Sequence, residues 1–336
     1  MTNVKTTSIM LQTLAVPCAC RCRYCLLAWD GKTAGCELER AKVYAKAFHE
    51  WLKSNAPEIS FNFCFGYSMD HPDLMAAIDF MNSIGSVSGR FLQLNGLKQR
   101  SPAEADTLMR ELRSHGVESV NFTFYGTQDA HDRFAGRKGD FDINLTLARA
   151  AMRAGLKVSS GIALTKTNCA ETDELRAVLK DCGIPDIRLF IPHEEGRGIT
   201  LADVRCTVDD LSLLSPDSLK LLNRNIYRTE AEWLAASDIH SESRRSLLIS
   251  LTDENIGRFE KLGFEAVIKY VEQLDEAYYK TVPGFFELLA RYADASGRKL
   301  YGKRDIYQHC QKFYLRENKI DIYDVTDERY CGSRRY

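Results

Sequence analysis

The sequence predicts an α/β fold, an open partial barrel that is followed by a mostly helical cap. The main observation is a repeat: from Ser8 to Ile191, a unit of about 30 residues recurs, with a short β-rich run, a loop and a helical pattern. Strand–helix alternation of this kind makes a parallel sheet with its helices outside. Six units in about 190 residues are too few for a closed eight-unit barrel, which takes about 250 residues. The prediction is therefore a partial (β/α)6 TIM-like barrel.

The β-rich runs and several helix ends can be read in order along the chain. The six runs cover residues 8–16, 59–65, 91–95, 117–125, 156–165 and 186–191. After the third run, Ser101 and Glu104 form a capping box around Pro102, and Gly116 closes that helix. Asp140 is predicted to cap the helix after the fourth run. These ends place the helices between the strands.

The second part of the chain has a different pattern. Residues 1–200 are predicted to form the barrel, and residues 201–336 a cap that binds substrate. Residues 207–300 are interpreted mostly as helices, and two alternating runs, 311–315 and 319–325, predict a small hairpin at the end. No low-complexity linker separates the two parts, so we expect them to dock against each other.

Composition and charge exclude several classes of partner. The 336 residues carry 45 Lys and Arg against 46 Asp and Glu, a net charge of −1, so there is no general electrostatic basis for nucleic-acid binding. No apolar run approaches the roughly 18–20 residues that cross a bilayer. The apolar stretch near the start is broken by Gln12 and Thr13, which argues against a secretory signal. We expect a cytoplasmic protein with no nucleic-acid or membrane partner.

Four of the eleven cysteines lie close together, after the first β-rich run. Cys18, Cys22 and Cys25 have the spacing Cys-x3-Cys-x2-Cys, and Cys20 lies between them. Clustered thiols in a chain of this length indicate metal ligands rather than a disulfide scaffold. Three thiolates on one loop suit a 4Fe–4S cluster, which takes four ligands, and would leave one iron open for chemistry. In parallel β/α folds such loops follow the carboxyl ends of the strands, where sites form.

Two alternatives to this interpretation stay open. Cys18, Cys20, Cys22 and Cys25 together provide the four thiols that a structural zinc ion takes, although zinc sites usually join two separated pairs. The cysteines could also be ordinary buried thiols. If the loop binds a 4Fe–4S cluster, Cys20 is either a spacer that points away from the cluster or a fourth ligand that blocks the open iron.

These motifs resemble those of radical S-adenosylmethionine (radical SAM) enzymes over residues 8–200. The resemblance implies that Cys18, Cys22 and Cys25 bind a 4Fe–4S cluster and that S-adenosylmethionine chelates the open iron. It places Tyr24 beside the adenine. The stretch from Gly66 to Ser68 matches the family's glycine-rich motif after the second strand, although serine replaces its acidic residue.

Later strands add further matches to the same family. Asn95 precedes Gly96 after the third strand, and Thr123 on the fourth matches a ribose contact. Either backbone carbonyls or the shifted Asp70 would take the place of the missing acidic residue, and Lys166 after the fifth strand is a candidate partner of the SAM carboxylate. The stretches 131–141 and 192–198 are similar to radical SAM enzymes that modify peptides.

The resemblance also implies a chemistry. Reductive cleavage of S-adenosylmethionine at the cluster would give a 5′-deoxyadenosyl radical, which abstracts hydrogen from a peptide substrate. An external one-electron reductant such as flavodoxin or ferredoxin is implied as a partner. A small-molecule oxidoreductase or isomerase of the same superfamily is the alternative enzyme, and a non-enzymatic iron–sulfur redox sensor is the alternative of another class.

The residues that act after hydrogen abstraction are less defined by the sequence. Cys206, Cys310 and Cys331 are candidate hydrogen donors or ligands of an auxiliary iron–sulfur cluster, with buried structural thiols as the favoured interpretation. Tyr125 is a further candidate for orienting substrate. Three other polar residues of the loops after the strands could orient substrate or serve only as caps and solvated side chains: His131, Glu194 and Arg197.

Overall fold

The computed structural model describes residues 5–14, 18–25, 35–66, 70–194, 196–236 and 244–320. Within them the strands are β1 Lys5–Leu14, β2 Ser60–Gly66, β3 Phe91–Gln93, β4 Ser119–Phe124, β5 Lys157–Ala163, β6 Asp186–Phe190, β7 Tyr227–Thr229, β8 Arg244–Ser250 and β9 Leu300–Gly302. The helices are α1 Leu38–Asn55, α2 Leu74–Ser83, α3 Pro102–Ser114, α4 Gln128–Ala135, α5 Asp140–Arg153, α6 Thr172–Asp181, α7 Pro216–Leu219, α8 Glu230–Leu234, α9 Asp253–Leu262, α10 Phe264–Thr281, α11 Phe285–Tyr292 and α12 Lys303–Asn318.

The strands β1–β6 alternate with helices, and the predicted α/β class is confirmed. One parallel sheet has the order β2-β1-β8, and a second has the order β3-β4-β5-β6. All six predicted β-rich runs are strands, with their ends shifted by a few residues. The strands of the described residues do not close into a barrel, in agreement with the partial barrel predicted from the unit count.

Strand β8 comes from the part of the chain that the sequence pattern assigned mostly to helices. It pairs in parallel with β1, and Leu247 and Ile249 on it are buried beside Ile9 and Leu11. The interpretation of this segment as helical was wrong because its apolar run is short and isolated. A short apolar run followed by the capping box at Thr252 repeats the strand–helix unit, and that signal was available in the sequence.

The predicted C-terminal hairpin is also wrong over its described part. Residues 311–315 belong to helix α12, which ends at Asn318 and is followed by Lys319 in the left-handed conformation. The buried face of this helix has helical spacing, since Ile306 and Cys310 on it lie four residues apart. Residues 321–325 of the second run lie outside the described residues. The division into a barrel and a cap near residue 200 stays a prediction.

A cavity of about 1240 Å³ lies against the concave face of the β3–β6 sheet. Its wall contains polar side chains at alternating positions of neighbouring strands, among them Gln93, Asn121, Thr123 and Ser159. Asn121 on β4 donates a hydrogen bond to Ser159 on the neighbouring strand β5 at 2.8 Å. In a strand, alternate side chains face the same side of the sheet, so these polar side chains share one face, where Phe91 and Phe190 also line the cavity.

Among the helices that the structure describes, none has the length and apolar character needed to cross a membrane.

Candidate functional site

The loop that carries Cys18, Cys20, Cys22 and Cys25 follows β1 and lies against the segments after three other strands. Backbone hydrogen bonds hold it there, from Ala19 N–H to Gly96 O (2.9 Å), Arg21 N–H to Ala135 O (2.7 Å), Arg23 N–H to Phe134 O (3.0 Å) and Arg197 N–H to Cys25 O (3.0 Å). Their partners lie after β3, at the end of α4 after β4, and after β6. The loop is therefore fixed at the carboxyl ends of the strands, as the sequence predicted.

The four thiols of the loop differ in their surroundings. Cys18, Cys22 and Cys25 are partly exposed, whereas Cys20 is buried. The thiol of Cys20 donates a hydrogen bond to Oδ1 of Asp140 at 3.1 Å and also contacts the thiols of Cys18 and Cys22. In the part of the chain that the structure describes, no three His, Cys, Asp or Glu side chains are arranged as a metal site.

The residues of the loop nevertheless fit an iron–sulfur cluster by two observations. Cysteine thiolates are the ligands that such clusters take, and three partly exposed thiols come from one loop. Gly96 has φ +80°, and a Cβ placed on it would lie 2.3 Å from Sγ of Cys18. The space beside Cys18 therefore depends on the absence of a side chain at position 96. Cys18, Cys22 and Cys25 are the residues that would hold the cluster.

An aromatic wall lies next to the cysteine loop. The ring of Tyr24 stacks on Phe134 with centroids 5.3 Å apart and meets Phe190 edge-on at 6.2 Å. The Tyr24 hydroxyl hydrogen-bonds with Thr123. Burial, together with the nearby thiol of Cys22, raises the pKa of Tyr24 well above its usual value. Tyr24 is therefore a neutral ring with its polar end satisfied.

Asn95 and Thr123, two predicted cofactor residues, bind each other directly. The amide oxygen of Asn95 accepts a hydrogen bond from the Thr123 N–H at 2.6 Å, and its amide nitrogen donates to the Thr123 carbonyl at 2.8 Å. Gln93 donates to the Thr123 hydroxyl at 3.2 Å. The structure thus brings Tyr24, Asn95 and Thr123 together next to the cysteine loop, and Thr123 also lines the cavity.

The remaining predicted cofactor residues lie at or after the ends of the second and fifth strands in the chain. Gly66 is buried and ends β2, and Ser68 lies outside the described residues. Asp70 accepts a hydrogen bond from the Lys98 N–H at 2.5 Å and forms an ion pair with Arg100. Lys166 is exposed. Asp70 is thus bound to the loop after β3, and the cofactor roles of Gly66, Ser68 and Lys166 stay predictions.

Tyr125 is buried and held on both sides. Its hydroxyl hydrogen-bonds with Thr165 at 2.8 Å and Thr167 at 2.6 Å, and its ring lies parallel to that of Phe134 with centroids 3.7 Å apart. The backbone N–H of Tyr125 donates to Nδ1 of His131 at 3.1 Å. These contacts fix Tyr125 beneath the aromatic wall, and its catalytic role stays a prediction.

The candidate thiols beyond the loop lie in different parts of the core. Cys206 is fully buried with its sulfur 3.8 Å from that of Cys169, and this contact, with burial, raises the pKa of Cys206. Cys310 packs in a separate cluster with Trp233 and Tyr301, where burial raises its pKa to about 12. Cys331 lies outside the described residues. Cys206 and Cys310 are therefore packed in the core, and their roles stay a prediction.

The cap of helix α5 was assigned to the wrong residue. Gly139, with φ +76°, precedes the helix, and the carboxylate of Asp132 accepts hydrogen bonds from the N–H groups of Gly139 and, at 3.0 Å, of Phe141. Asp140 is instead buried and faces Cys20 and His131. Asp132 belongs to the preceding helix α4, and sequence spacing does not show that its carboxylate reaches the start of α5.

The segment after β6 is bound to helix α12. Nδ1 of His309 lies 3.1 Å from Glu194 Oε2, and the Lys312 ammonium donates to the Glu194 carbonyl. Next to it, Nδ1 of His193 lies 2.7 Å from Asp305 Oδ1. Because the Arg197 N–H of the same segment binds the cysteine loop, this segment joins α12 to that loop. Sequence reasoning placed Glu194 and Arg197 here but did not find their partners on α12.

The pKa of Glu194 makes stability depend on pH in a defined direction. Burial raises this pKa, but the hydrogen bond with His309 and the charges of His309, Arg205 and Lys312 hold it below its usual value. Such a carboxylate stabilises the fold at pH values above its pKa in the unfolded chain. This contribution is lost as the pH falls through its pKa in the folded protein. We expect the free-energy advantage of the wild type over Glu194→Gln, measured by denaturant unfolding, to shrink between about pH 6 and about pH 3. A constant difference over this range would contradict the expectation.

Comparison with known proteins gives similarity at the level of structure only. No family model matches the chain, and no curated protein matches it. SuiB of Streptococcus suis, bound to S-adenosylmethionine, is 10% identical over 73% of this chain and 59% of that one, with a TM-score of 0.47. Native anSMEcpe with bound AdoMet is 15% identical over 55% of this chain and 52% of that one, with a TM-score of 0.41.

Coproporphyrinogen III oxidase (HemN) from Escherichia coli, a radical SAM enzyme, is 12% identical over 64% of this chain and 48% of that one, with a TM-score of 0.34. All three neighbours are radical SAM enzymes, the family that the sequence motifs resemble. This chain spans about half the length of these solved enzymes. At such low identity the similarity concerns the fold and gives no role to any residue.

Proposed function

We propose that this chain is a radical SAM enzyme that acts on a peptide substrate. The single observation that supports this function best is the cysteine loop, whose Cys18, Cys22 and Cys25 are held at the carboxyl ends of parallel strands. These three thiols would hold a 4Fe–4S cluster, which would supply the electron for reductive cleavage of S-adenosylmethionine and so the 5′-deoxyadenosyl radical that abstracts hydrogen from the substrate.

The residues around the loop have separate tasks in this proposal. Tyr24 presents an uncharged ring for the adenine, and Phe134 and Phe190 hold that ring in place. The hydroxyl of Thr123 would contact the ribose, and the two hydrogen bonds between the Asn95 amide and the Thr123 N–H and carbonyl fix the backbone there. The protein thus orients the reacting groups, while the cofactors supply the difficult chemistry.

The size of the cavity supports the binding of two molecules. A volume of about 1240 Å³ exceeds the roughly 300–1,000 Å³ of pockets for a single drug-sized ligand, which leaves room for S-adenosylmethionine and part of a substrate. The polar side chains on its wall, such as Asn121 and Ser159, suit hydrogen bonds with the amide groups of a peptide. We place the enzyme in the cytoplasm, where thiols stay reduced and a flavodoxin or ferredoxin is available as electron donor.

The test is anaerobic reconstitution with iron and sulfide, followed by S-adenosylmethionine and a strong one-electron reductant. We expect a coloured protein with about four irons per chain and formation of 5′-deoxyadenosine. The matched control is Cys22→Ala, which should form none. A cluster without any 5′-deoxyadenosine would favour a redox sensor and overturn the enzyme proposal. A colourless protein loaded with zinc would overturn the cluster itself.

A further inference from the structure

We propose that Cys20 and Asp140 form an anchor that holds the cysteine loop in position, and that Cys20 is a positioning residue rather than a metal ligand. The loop would be held by this contact whether or not a metal is bound. This inference depends on the proposed function in one respect, namely that Cys18, Cys22 and Cys25 bind a 4Fe–4S cluster.

Asp140 is the centre of a buried hydrogen-bond network and is only 1% exposed. Its Oδ1 accepts hydrogen bonds from the Cys20 thiol at 3.1 Å and from Arg137 Nη1 at 3.3 Å. Its Oδ2 faces Nε2 of His131 at 3.0 Å and Nδ2 of Asn144 at 3.1 Å. A buried carboxylate is costly unless it is fully hydrogen-bonded, and here both oxygens have two partners.

The tautomer of His131 follows from its contact with the backbone. Because the Tyr125 N–H donates to Nδ1 of His131, Nε2 carries the proton and donates it to Asp140. All four partners of Asp140 are therefore donors. Asp140 is therefore the acceptor at the centre of this network, and the Cys20 thiol is one of its four donors.

The surroundings of Cys20 differ from those of the three proposed ligands. Cys20 is buried with its thiol donating to Asp140, whereas Cys18, Cys22 and Cys25 are partly exposed. A hydrogen bond to a charged acceptor is among the stronger kinds, so this contact suits an anchor of the loop.

The anchor connects three segments around the site. Next to Cys20, the Arg21 N–H binds Ala135 O, and the Arg21 guanidinium donates to the carbonyl oxygen of Cys20 at 2.8 Å. Arg137, which shares Asp140, also donates to the carbonyl oxygen of Leu97, next to Gly96. Cys18 and Cys22 lie two residues on either side of Cys20, so the anchor fixes the backbone between two of the proposed ligands.

Hydrogen exchange on the metal-free protein tests the anchor without any cofactor. In Cys20→Ala we expect the amides of Arg21 and Arg23, which bind Ala135 O and Phe134 O, to exchange about tenfold faster than in the wild type. Cys20→Ser keeps a donor and should restore most of the protection. Cys182→Ala, which removes a thiol at the end of α6, is the control and should change neither amide. Equal exchange in Cys20→Ala and the wild type would overturn the proposal.

A second readout separates an anchor from a ligand in the reconstituted protein. We expect Cys20→Ala to keep about four irons per chain but to release them to a chelator about tenfold faster, with rescue by Cys20→Ser. Asp140→Ala should accelerate release similarly, and the double variant should add little. Loss of the cluster in both Cys20 variants would identify Cys20 as a ligand and overturn the anchor.

The two proposals fail in different ways. If Asp140→Ala does not fold, the pair Cys20→Ala and Cys20→Ser still decides the role of Cys20. If no 5′-deoxyadenosine forms in any preparation, the proposed function fails while the exchange result on the metal-free protein still stands. If the exchange rates of Cys20→Ala match the wild type but 5′-deoxyadenosine forms, only the anchor is wrong.

Discussion

Each of the single substitutions Cys18→Ala, Cys22→Ala and Cys25→Ala is expected to remove the cluster. The number of irons per chain should fall from about four to well below one, and the broad visible absorption should disappear, because two thiols cannot replace the three that a site-differentiated cluster needs. Formation of 5′-deoxyadenosine should then stop completely. Iron content and the visible spectrum after anaerobic reconstitution measure the effect directly.

The cysteines outside the loop provide matched controls for this result. Cys182→Ala removes a thiol that contacts Arg149 far along the chain, and it should leave iron content unchanged. The three loop variants should also keep the fold, since the wild-type thiols are partly exposed and little packing is lost. Retention of the full cluster in any of the three variants, or its loss only in Cys20→Ala, would show that the ligands are assigned incorrectly.

Gly96→Ala is expected to give the second large effect, on both stability and cluster binding. Position 96 has φ +80°, a conformation that costs a residue with a Cβ about 1–3 kcal/mol. The added Cβ would in addition lie 2.3 Å from Sγ of Cys18, so the thiol or the backbone must move. We expect the free energy of unfolding to fall by about 2–4 kcal/mol and the iron content to fall several-fold.

Gly85→Ala separates backbone strain from the contact with Cys18. Gly85 has φ +72°, close to the value at Gly96, but a Cβ there would meet no atom within 4 Å. This control should lose only about 1 kcal/mol of stability and bind the cluster normally. If Gly85→Ala and Gly96→Ala reduce iron content equally, the space beside Cys18 is not what position 96 provides.

The strands were predictable where the repeating unit was regular. Alternating or continuous apolar runs such as the one ending in Phe65 are followed by helical patterns, and all six such units are present in the structure. Strand β8 was missed because its apolar run is short and lies among helical patterns, and sequence patterns do not show that so distant a segment pairs with β1. Residues 311–315 were misread because four or five residues cannot distinguish the two periods.

The candidate metal ligands could be predicted from the sequence, but the contacts that hold their loop in position could not. The spacing of Cys18, Cys22 and Cys25 carries the ligand hypothesis by itself. The partner of Cys20 is 120 residues away, and Asp140 has the position of an ordinary helix cap in the sequence. The contact between Gly96 and Cys18 was equally hidden, because an Asn-Gly pair indicates a turn and not what the turn makes room for.

The pairing of β1 with β8 has a consequence for biosynthesis. The strand that leads into the cysteine loop is bordered on one side by residues 244–250, so a growing chain on the ribosome lacks one neighbour of that strand until most of the polypeptide has emerged. Domains usually fold as units once their contacts are available. A product that stops before residue 244 would lack this neighbour of β1, and we expect it to hold the strand before the cysteine loop less firmly.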